Sequence, residues 1–315
     1  MFGKIAIVGG SGNVGSHIAF LGAMKGIARE IALFSIDMPR CKGVGLDISQ
    51  AAAVFNIPTH IKGYESYEGL SESEIVIITA GIPRTPNMTR DDLLLKNAHI
   101  MQEVSQNVAK IAPNALLLIV SNPLDAMCLV AKHASGFDKQ RVIGMAGVLD
   151  GARLSYESKV LLNDFQTPIK PCVLGAHSDD MLPLLRHSLY GVENLADKLD
   201  SNSQQNLIRE TKNGGAKIVS YYQQGSAYFA PATAAVKMLE LIANPQDEYV
   251  VCSVYTQGEY GLQGIYIGLP IKLGKKGVEK IVDLTLNKQE QEMLKVSAQG
   301  IKKQVEILTN NGLLN

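Results

Sequence analysis

The sequence predicts an α/β protein in two parts: a doubly wound parallel sheet over residues 1–145 and an α+β domain over residues 146–315. Three observations support this fold class. Short apolar runs alternate with helical periodicity through the first half, as expected for parallel strands that are buried on both faces. A glycine-rich stretch follows the first apolar run. In the second half, long helical segments and strand-like runs joined by a turn replace the alternation.

In the first half, five apolar runs predict buried strands, at residues 5–8, 31–34, 75–79, 116–120 and 142–144. Apolar residues between these runs recur every three or four positions, which is the spacing of one helix face. One such segment starts at Val14. Another ends near Ile111, just before Pro113, which cannot continue a helix. Repeated strand–helix alternation of this kind favours a parallel sheet covered by helices on both faces.

In the second half, helices are predicted at residues 152–162 and 204–224 and after Pro231, and strands at 172–174, 249–255 and 265–268, with a turn at 272–277. The chain ends in a long amphipathic helix. Asn287 and Glu290 have the spacing of a capping box at its start. This half is therefore predicted to be an antiparallel sheet with helices.

Composition and charge exclude several classes of protein. The chain is 46% apolar and 19% charged, which is typical of globular enzymes and binding proteins. The 30 Lys and Arg residues balance the 30 Asp and Glu residues, so we expect no general attraction to nucleic acid or to a membrane surface. No apolar run approaches the roughly 20 residues that a membrane span needs.

The four cysteines are scattered through the chain, at Cys41, Cys128, Cys172 and Cys252. No two of them form the C-x-x-C pairs typical of zinc sites, and no clustering indicates a disulfide framework. Reduced thiols of this kind favour a cytoplasmic protein. The chain enters a strand at once, in M-F-G-K-I-A-I-V, so we expect no targeting segment.

The glycine-rich stretch G-G-S-G-N-V-G spans residues 9–15. Gly10, Gly12 and Gly15 satisfy the pattern G-x-G-x-x-G. Glycines are needed where the backbone turns sharply and approaches a pyrophosphate that sits on a helix N-terminus. The stretch follows a buried strand and opens a helix, so it predicts a Rossmann-type dinucleotide site. The predicted contacts are Gly9, Gly10, Ser11, Gly12, Asn13, Val14 and Gly15.

The acid that would bind the adenosine ribose is expected about 20 residues further on. The second strand ends L-F-S-I-D-M-P-R, so the candidates are Ser35 and Asp37. If the strand extends that far, the two residues share a face and Asp37 reaches the ribose. If Ser35 takes the position, with Arg40 nearby, a 2′-phosphate is tolerated. NAD is the expected cofactor, and NADP remains open.

A proton-transfer site is predicted from two further stretches, G-V-L-D-G-A-R-L at 147–154 and L-G-A-H-S-D-D at 174–180. Asp150 and Arg153 are three residues apart, so both can point from one helical face into one cleft. A carboxylate beside His177 fixes the tautomer of the ring and raises its pKa. The alternative is a structural histidine and an Asp that caps a helix.

Two arginines and an asparagine follow predicted strands. Arg84 and Arg90 lie in I-P-R-T-P-N-M-T-R, just after the third strand, where α/β sheets bind ligands. Arginine binds a carboxylate through two parallel hydrogen bonds, so an acidic ligand is expected. Asn122 follows the fourth strand in V-S-N-P-L-D. The alternatives are a solvated charged loop for the arginines and a helix cap for Asn122.

Together these stretches resemble the lactate/malate dehydrogenase family along the whole chain, most closely its lactate-dehydrogenase-like malate dehydrogenases. The resemblance rests on G-S-G-N-V-G, T-A-G-I-P-R-T-P-N-M-T-R-D-D-L-L-L-K-N, V-S-N-P-L-D, L-D-G-A-R, G-A-H-S-D and G-S-A-Y-F-A-P-A. It implies a Rossmann sheet followed by a C-terminal α+β catalytic domain. It also implies reversible hydride transfer between a nicotinamide cofactor and malate or oxaloacetate.

The resemblance implies a role for each matching residue. His177 is the proton donor and acceptor and Asp150 its partner. Arg153 binds the C1 carboxylate, and Arg90 polarises the reacting carbonyl from a closing loop. Arg84 pairs with a second carboxylate, where lactate enzymes carry Gln. Further residues match cofactor positions or, for Asn122 and Ser226, the substrate pocket: Thr79, Ala80, Gly81, Asn97, Val120, Asn122 and Ser226.

The chain departs from the family pattern at three points. Ser178 replaces a glycine next to the histidine, the glycine loop carries one extra residue, and Ser35 aligns with the Asp that binds the ribose. The last two bear on the choice between NAD and NADP.

Three other functions compete with malate oxidation. A lactate or other 2-hydroxy acid dehydrogenase is the nearest, and Arg84 disfavours it. An NAD-dependent glycosidase would need a metal, and no His or Cys cluster indicates one. A non-catalytic dinucleotide sensor would have no need of the acid, the histidine and three arginines together. The resemblance also implies a homo-oligomer, more often a tetramer than a dimer.

Overall fold

A computed structural model describes residues 1–83 and 88–314. Its strands are β1 Phe2–Val8, β2 Ala28–Phe34, β3 His60–Tyr64, β4 Ile75–Ile78, β5 Leu116–Ile119, β6 Val142–Gly144, β7 Ile169–Lys170, β8 Val173–Leu174, β9 Leu182–Pro183, β10 Leu189–Tyr190, β11 Glu193–Asn194, β12 Val250–Gln257, β13 Gln263–Gly274 and β14 Gly277–Ile281. Its α-helices are α1 Asn13–Met24, α2 Met38–Val54, α3 Arg90–Ile111, α4 Leu124–Ser135, α5 Gly147–Leu162, α6 Ser201–Tyr222, α7 Phe229–Ala243 and α8 Lys288–Asn310.

One large sheet organises the described part of the chain, in the order β14-β13-β12-β6-β5-β4-β1-β2-β3. The six strands from β1 to β6 are parallel, and β1 lies at their centre, pairing with both β2 and β4. All four residues of β4 and all four of β5 are buried. Their sequences, Ile-Val-Ile-Ile and Leu-Leu-Leu-Ile, lack polar alternation because helices cover both faces.

The core lies on both faces of this sheet. Successive residues of a strand point to opposite faces, and β1 shows this directly. Ile5 and Ile7 pack into one apolar cluster with residues of α1, α2 and α7. Ala6 and Val8 pack into another with residues of α3 and α4. The predicted α/β class and the doubly wound parallel sheet are therefore observed.

The antiparallel strands of the second half extend the same sheet. Ser253 of β12 pairs antiparallel with Gly144 of β6, and β12, β13 and β14 follow as a meander. The sheet is thus continuous across the predicted boundary between residues 145 and 146. The division into two domains at that point remains a prediction.

Several element boundaries differ from the sequence prediction. β2 begins at Ala28 and ends at Phe34, so the alternative in which the strand extends to Asp37 is wrong. Asp37 instead precedes α2, and its side chain accepts a hydrogen bond from the backbone N–H of Arg40. β3 was missed because Ile61 is its only buried residue. α5 begins at Gly147, five residues before the predicted start.

The C-terminal elements agree more closely with the pattern. The hairpin between β13 and β14 turns within the predicted segment 272–277, although β13 continues to Gly274. The capping box of α8 is confirmed. The Glu290 N–H donates to Asn287 Oδ1 at 2.9 Å, and the Asn287 N–H donates to Glu290 Oε2 at 2.8 Å. Within the described residues, no helix has the length and hydropathy of a membrane span.

Candidate active site

The glycine loop between β1 and α1 forms a cradle that only glycine fits. Gly9 has φ +90°, and a Cβ on it would lie 2.6 Å from the Thr79 hydroxyl. A Cβ on Gly15 would lie 2.4 Å from the carbonyl oxygen of Gly9. Both substitutions would force the backbone apart, so these glycines allow the close approach of β1, the loop and α1.

The start of α1 is suited to an anion. Gly12 precedes the helix, and no side chain caps the first N–H groups. Uncapped N–H groups at the positive end of a helix dipole bind phosphate. This geometry fits the pyrophosphate of NAD, with the predicted residues from Gly9 to Gly15 around it.

The end of β2 shows where the adenosine ribose would lie. Ser35 is buried, and its hydroxyl accepts a hydrogen bond of 2.7 Å from the hydroxyl of Ser11 in the glycine loop. The glycine loop is thus in direct contact with the residue that aligns with the family's ribose-binding Asp. The carboxylate of Asp37 is exposed at the N-terminus of α2. Of the two candidates, Ser35 and Asp37, only Asp37 carries an acidic group.

The predicted proton-transfer residues meet at one point. His177 Nδ1 lies 2.8 Å from Asp150 Oδ2, and Arg153 donates to the other carboxylate oxygen, Oδ1, at 3.1 Å. The Asp150 side chain is 4% exposed and that of Arg153 is 18% exposed. Asp150 and Arg153 lie on α5, while His177 follows β8. The structure therefore brings all three side chains together: Asp150 and Arg153 share a helical face, as their spacing predicted, and His177 meets Asp150, as the resemblance implied.

Two opposing effects act on the pKa of His177. Burial lowers it, because the charged ring loses hydration. The Asp150 carboxylate raises it by charge and by its hydrogen bond, and the net pKa is above the ordinary value. Arg153 opposes Asp150 in part. The site thus stabilises the imidazolium that forms when the histidine takes a proton.

The backbone around His177 is also fixed. The His177 N–H donates to Asp125 Oδ2 at 2.9 Å, and the Ala176 N–H donates to Ser297 Oγ at 2.9 Å. Asp125 received no role from the sequence, although it ends the motif V-S-N-P-L-D. One signal marked it: it is the sole acid in the otherwise buried start of α4, L-D-A-M-C-L-V-A.

Asn97 connects the loops that follow β4 and β5. Its Oδ1 accepts from the Ile82 N–H at 2.8 Å, and its Nδ2 donates to the Asn122 carbonyl oxygen at 2.8 Å. The alternative that Asn122 caps a helix is wrong, because no side chain caps the start of α4. Asn97 therefore holds the two loops at which the predicted cofactor residues lie.

Six of the fifteen predicted cofactor residues, together with Ser226 of the predicted substrate pocket, line one cleft of about 480 Å³ at the carboxyl ends of β4 and β5. Its predicted members are Val14, Thr79, Gly81, Asn97, Val120, Asn122 and Ser226. The Thr79 hydroxyl also donates to the Val8 carbonyl oxygen at 3.1 Å, and the Ala80 carbonyl oxygen accepts from Ser121 Oγ at 2.6 Å. Residues as far apart in sequence as Val14 and Ser226 thus converge at one cleft.

One predicted arginine among the described residues is not part of this arrangement. Arg90 is exposed at the first turn of α3, and it does not line the cleft. Arg84 lies outside the described residues. The exposed Ser178 places its hydroxyl at 3.2 Å from the Asp180 N–H, away from the His177–Asp150 contact.

A larger cavity, of about 700 Å³, lies at the opposite end of the sheet, where Glu74 precedes β4 and Leu116 begins β5. None of the described residues predicted for the site lines it. Ligands of α/β sheets bind at the carboxyl ends of strands, so the smaller cleft is the candidate site. Within the described chain, no three His, Cys, Asp or Glu side chains are grouped to hold a metal ion.

Family models match both halves of the chain. Residues 3–144 match the lactate/malate dehydrogenase NAD binding domain, and residues 148–311 match the lactate/malate dehydrogenase alpha/beta C-terminal domain. The chain belongs to the lactate/malate dehydrogenase family. The resemblance, the fold class and the NAD-binding character of the first half are confirmed.

Individual members of the lactate/malate dehydrogenase family resemble the chain over its full length. A malate dehydrogenase of Helicobacter hepaticus is 69% identical over 314 residues, which is 100% of both chains. The crystal structure of a malate dehydrogenase of Cryptosporidium parvum has a TM-score of 0.94 at 36% identity, covering 98% of this chain and 100% of that one. A lactate dehydrogenase of Cryptosporidium parvum, solved with lactic acid and nicotinamide adenine dinucleotide, has a TM-score of 0.93 at 33% identity, with coverage of 98% and 99%.

Proposed function

We propose that the protein is an NAD-dependent malate dehydrogenase, which interconverts malate and oxaloacetate. The observation that carries the proposal is the contact of His177 with Asp150, in a chain whose first half matches an NAD binding domain. The full-length identity of 69% to a malate dehydrogenase supports the choice of substrate.

The proton of the substrate hydroxyl passes to His177. Its Nδ1 is committed to Asp150, so Nε2 is the ring nitrogen that exchanges the proton. In malate oxidation the neutral ring takes the proton, and the Asp150 carboxylate stabilises the imidazolium. In oxaloacetate reduction the imidazolium returns it. Positioned acid–base catalysis of this kind typically contributes about 10²–10⁴-fold to the rate.

Three arginines provide the positive charge for a dianionic substrate. Arg153 binds the C1 carboxylate with the N–H groups that its contact with Asp150 leaves free, and Asn122 and Ser226 complete the pocket. Arg90 stabilises the negative charge that develops on the reacting carbonyl oxygen when its loop closes. Arg84 binds the second carboxylate, which distinguishes oxaloacetate from pyruvate.

The cofactor site is formed by the glycine loop, the residues after β2 and the loops after β4 and β5. The glycine cradle and the start of α1 hold the pyrophosphate, and Asp37 or Ser35 faces the adenosine ribose. Thr79, Ala80, Gly81, Asn97, Val120 and Asn122 lie on the nicotinamide side. When bound, NAD accepts the hydride that leaves C2 of malate.

A lactate dehydrogenase is the alternative, because a structure of that activity superposes nearly as well as the malate enzymes. Rates of reduced-cofactor oxidation with oxaloacetate and with pyruvate, each measured with NADH and NADPH, separate the two. We expect kcat/KM for oxaloacetate to exceed that for pyruvate by at least about 100-fold. A preference for pyruvate would refute the malate assignment.

We also propose that the protein is a cytoplasmic homo-oligomer, and we favour a tetramer over a dimer. Large apolar side chains are exposed near the end of α2, where Val54 and Phe55 are each 73% exposed, and at Tyr156 of α5, which is 60% exposed. Exposed apolar groups of this size are typical of subunit interfaces. Light scattering after gel filtration measures the assembly, and a monomer would contradict the proposal.

A further inference from the structure

A second buried carboxylate, Asp125, contacts the catalytic histidine at its backbone N–H, whereas Asp150 contacts its ring. Asp125 Oδ2 accepts from the backbone N–H of His177 at 2.9 Å, and Asp125 Oδ1 accepts from Ser253 Oγ at 2.6 Å. Asp125 is 5% exposed. Both carboxylate oxygens are therefore occupied by neutral donors, from β12 and from the loop after β8.

Asp125 has no cationic partner among the described side chains. The salt bridges at this site join Asp150 to Arg153 and to His177. Buried carboxylates are normally paired with a cation, because an unpaired buried charge is costly. The nearest group that can become positive is the ring of His177 itself.

The titratable groups that face Asp125 are few. His177 favours its charged form, Asp150 opposes it, and Cys128 on the next turn of α4 is neutral because burial raises the pKa of its thiol well above the ordinary value. Burial raises the pKa of Asp125 to about 6, while the hydrogen bonds from Ser253 and His177 limit the rise. The group is thus mainly a carboxylate at pH 7 and above.

The backbone next to His177 has other supports that carry no charge. Ser297 Oγ accepts from the Ala176 N–H at 2.9 Å, and Gly175 exchanges two backbone hydrogen bonds of 2.9 Å with Gly268. A hydroxyl such as that of Ser297 is therefore sufficient to support this segment. A buried, unpaired carboxylate at Asp125 is costly for a purely structural contact, and its charge must have another effect.

We propose that Asp125 is a positioning residue for proton transfer: its carboxylate anchors the backbone of His177 and places a second negative charge beside the imidazole. The anchor holds the ring against Asp150. The charge favours the imidazolium form, and it does so without occupying either ring nitrogen. This role rests on the proposed function of His177.

Two substitutions at one position separate the anchor from the charge. Asp125→Asn removes the charge but keeps the anchor, since its amide oxygen accepts from His177 and its NH₂ can donate to the hydroxyl of Ser253. Asp125→Ala removes both. Ser297→Ala is the matched control, because it removes a neutral support one residue away and leaves the charge unchanged.

The pH profile of kcat/KM for oxaloacetate reports the charge. Reduction needs the imidazolium, so kcat/KM falls as pH rises through the pKa of His177. In Asp125→Asn we expect this fall to move to lower pH by about 0.5 unit or more, because one nearby negative charge is lost. In Ser297→Ala we expect the native midpoint.

The turnover number, kcat, measures the contribution of the hydrogen bond that anchors the His177 backbone to Asp125. We expect kcat of Asp125→Ala to be at least about tenfold below that of Asp125→Asn, with KM for oxaloacetate nearly unchanged, because the substrate arginines are not altered. NADH binding and thermal unfolding establish that each variant is folded. If Asp125→Ala does not fold, Asp125→Asn and Ser297→Ala decide the question through the pH profile.

An unshifted midpoint in Asp125→Asn would overturn the proposal, and so would equal kcat in the two Asp125 variants when both are folded. Failure of the proposed function looks different, since the native protein would then not reduce oxaloacetate at all.

Discussion

At the scale of single residues, the carboxylate of Asp150 orients both the proton-transfer group and the neighbouring arginine. One of its oxygens fixes the tautomer of His177, and the other orients Arg153. A group that donates or accepts a proton and a group that binds a carboxylate are thus held by the same side chain. Motion of the substrate relative to the proton acceptor is restricted as a result.

We expect the adenosine end of the cofactor site to depend on Asp37. We expect NADH to be preferred because the carboxylate of Asp37 can accept hydrogen bonds from the ribose and repels a 2′-phosphate. Asp37→Asn keeps a good helix cap for α2 and removes the charge. Its Kd for NADH should rise several-fold and that for NADPH should fall, as measured by fluorescence titration. Asp37→Ser, another good cap, is the control, and unchanged preference in both variants would exclude Asp37 from the ribose site.

Substrate choice is expected at Arg84. In a closed pocket its guanidinium pairs with the second carboxylate of oxaloacetate, whereas pyruvate would leave it unpaired at a cost of several kcal/mol. Arg84→Gln should therefore lower kcat/KM for oxaloacetate by roughly 100-fold, about 3 kcal/mol of transition-state binding. Activity on pyruvate should not fall in parallel. Measuring both substrates on this variant tests the role, and an equal small change in both would show that Arg84 does not contact the substrate.

At the scale of elements, the sequence predicted what periodicity and turn chemistry determine locally. Five of the six parallel strands, the glycine loop and the capping box of α8 were predicted from short patterns. β3 was missed because only Ile61 is buried in it, which leaves an edge strand without a strong apolar signal. Asp125 was missed because its partners, His177 and Ser253, are 52 and 128 residues away. Such contacts depend on the assembled sheet and not on local spacing.

Glu290 joins the first turn of the C-terminal helix to Arg186. Arg186 donates to both of its carboxylate oxygens, at 3.1 and 2.6 Å, and Glu290 also caps α8. Burial raises the pKa of Glu290, but the hydrogen bonds from Arg186 lower it by more. The net pKa of Glu290 is therefore below the ordinary value. A lowered carboxylate pKa stabilises the fold above the unfolded-state pKa, and this stability is lost as pH falls below about 4.3.

Two variants test this attachment. Glu290→Gln keeps the capping box but loses the charge, and Glu290→Ala loses both. At pH 7 we expect the free energy of unfolding, measured by denaturant titration, to be lower than that of the native protein by about 1 kcal/mol in Glu290→Gln. In Glu290→Ala we expect it to be lower by about 2–3 kcal/mol. The difference between native protein and Glu290→Gln should shrink between pH 5 and pH 3. A difference that is constant with pH would mean that the charge of Glu290 does not contribute.

At the scale of the whole molecule, the continuous sheet joins the two halves. The pairing of Ser253 with Gly144 places β12 directly beside the last parallel strand. His177 depends on both halves as well, since Asp125 belongs to the first and Asp150 to the second. The halves should therefore unfold together.

Calorimetry with and without NADH tests this cooperativity. NADH contacts mainly the first half, and a ligand that binds only the folded state raises the unfolding temperature of whatever unfolds with its site. We expect one transition that moves to higher temperature as a whole. Two transitions, of which NADH shifts only one, would show that the halves are independent.

The most direct test of the central claim is the turnover of His177→Asn, measured beside its affinity for NADH. The claim is that His177, held by Asp150, moves the substrate proton. Asn can still occupy the site but cannot exchange a proton near neutral pH. We expect kcat for oxaloacetate reduction to fall by at least about 100-fold while the Kd for NADH stays within a few-fold of native. A kcat within a few-fold of native would contradict the account.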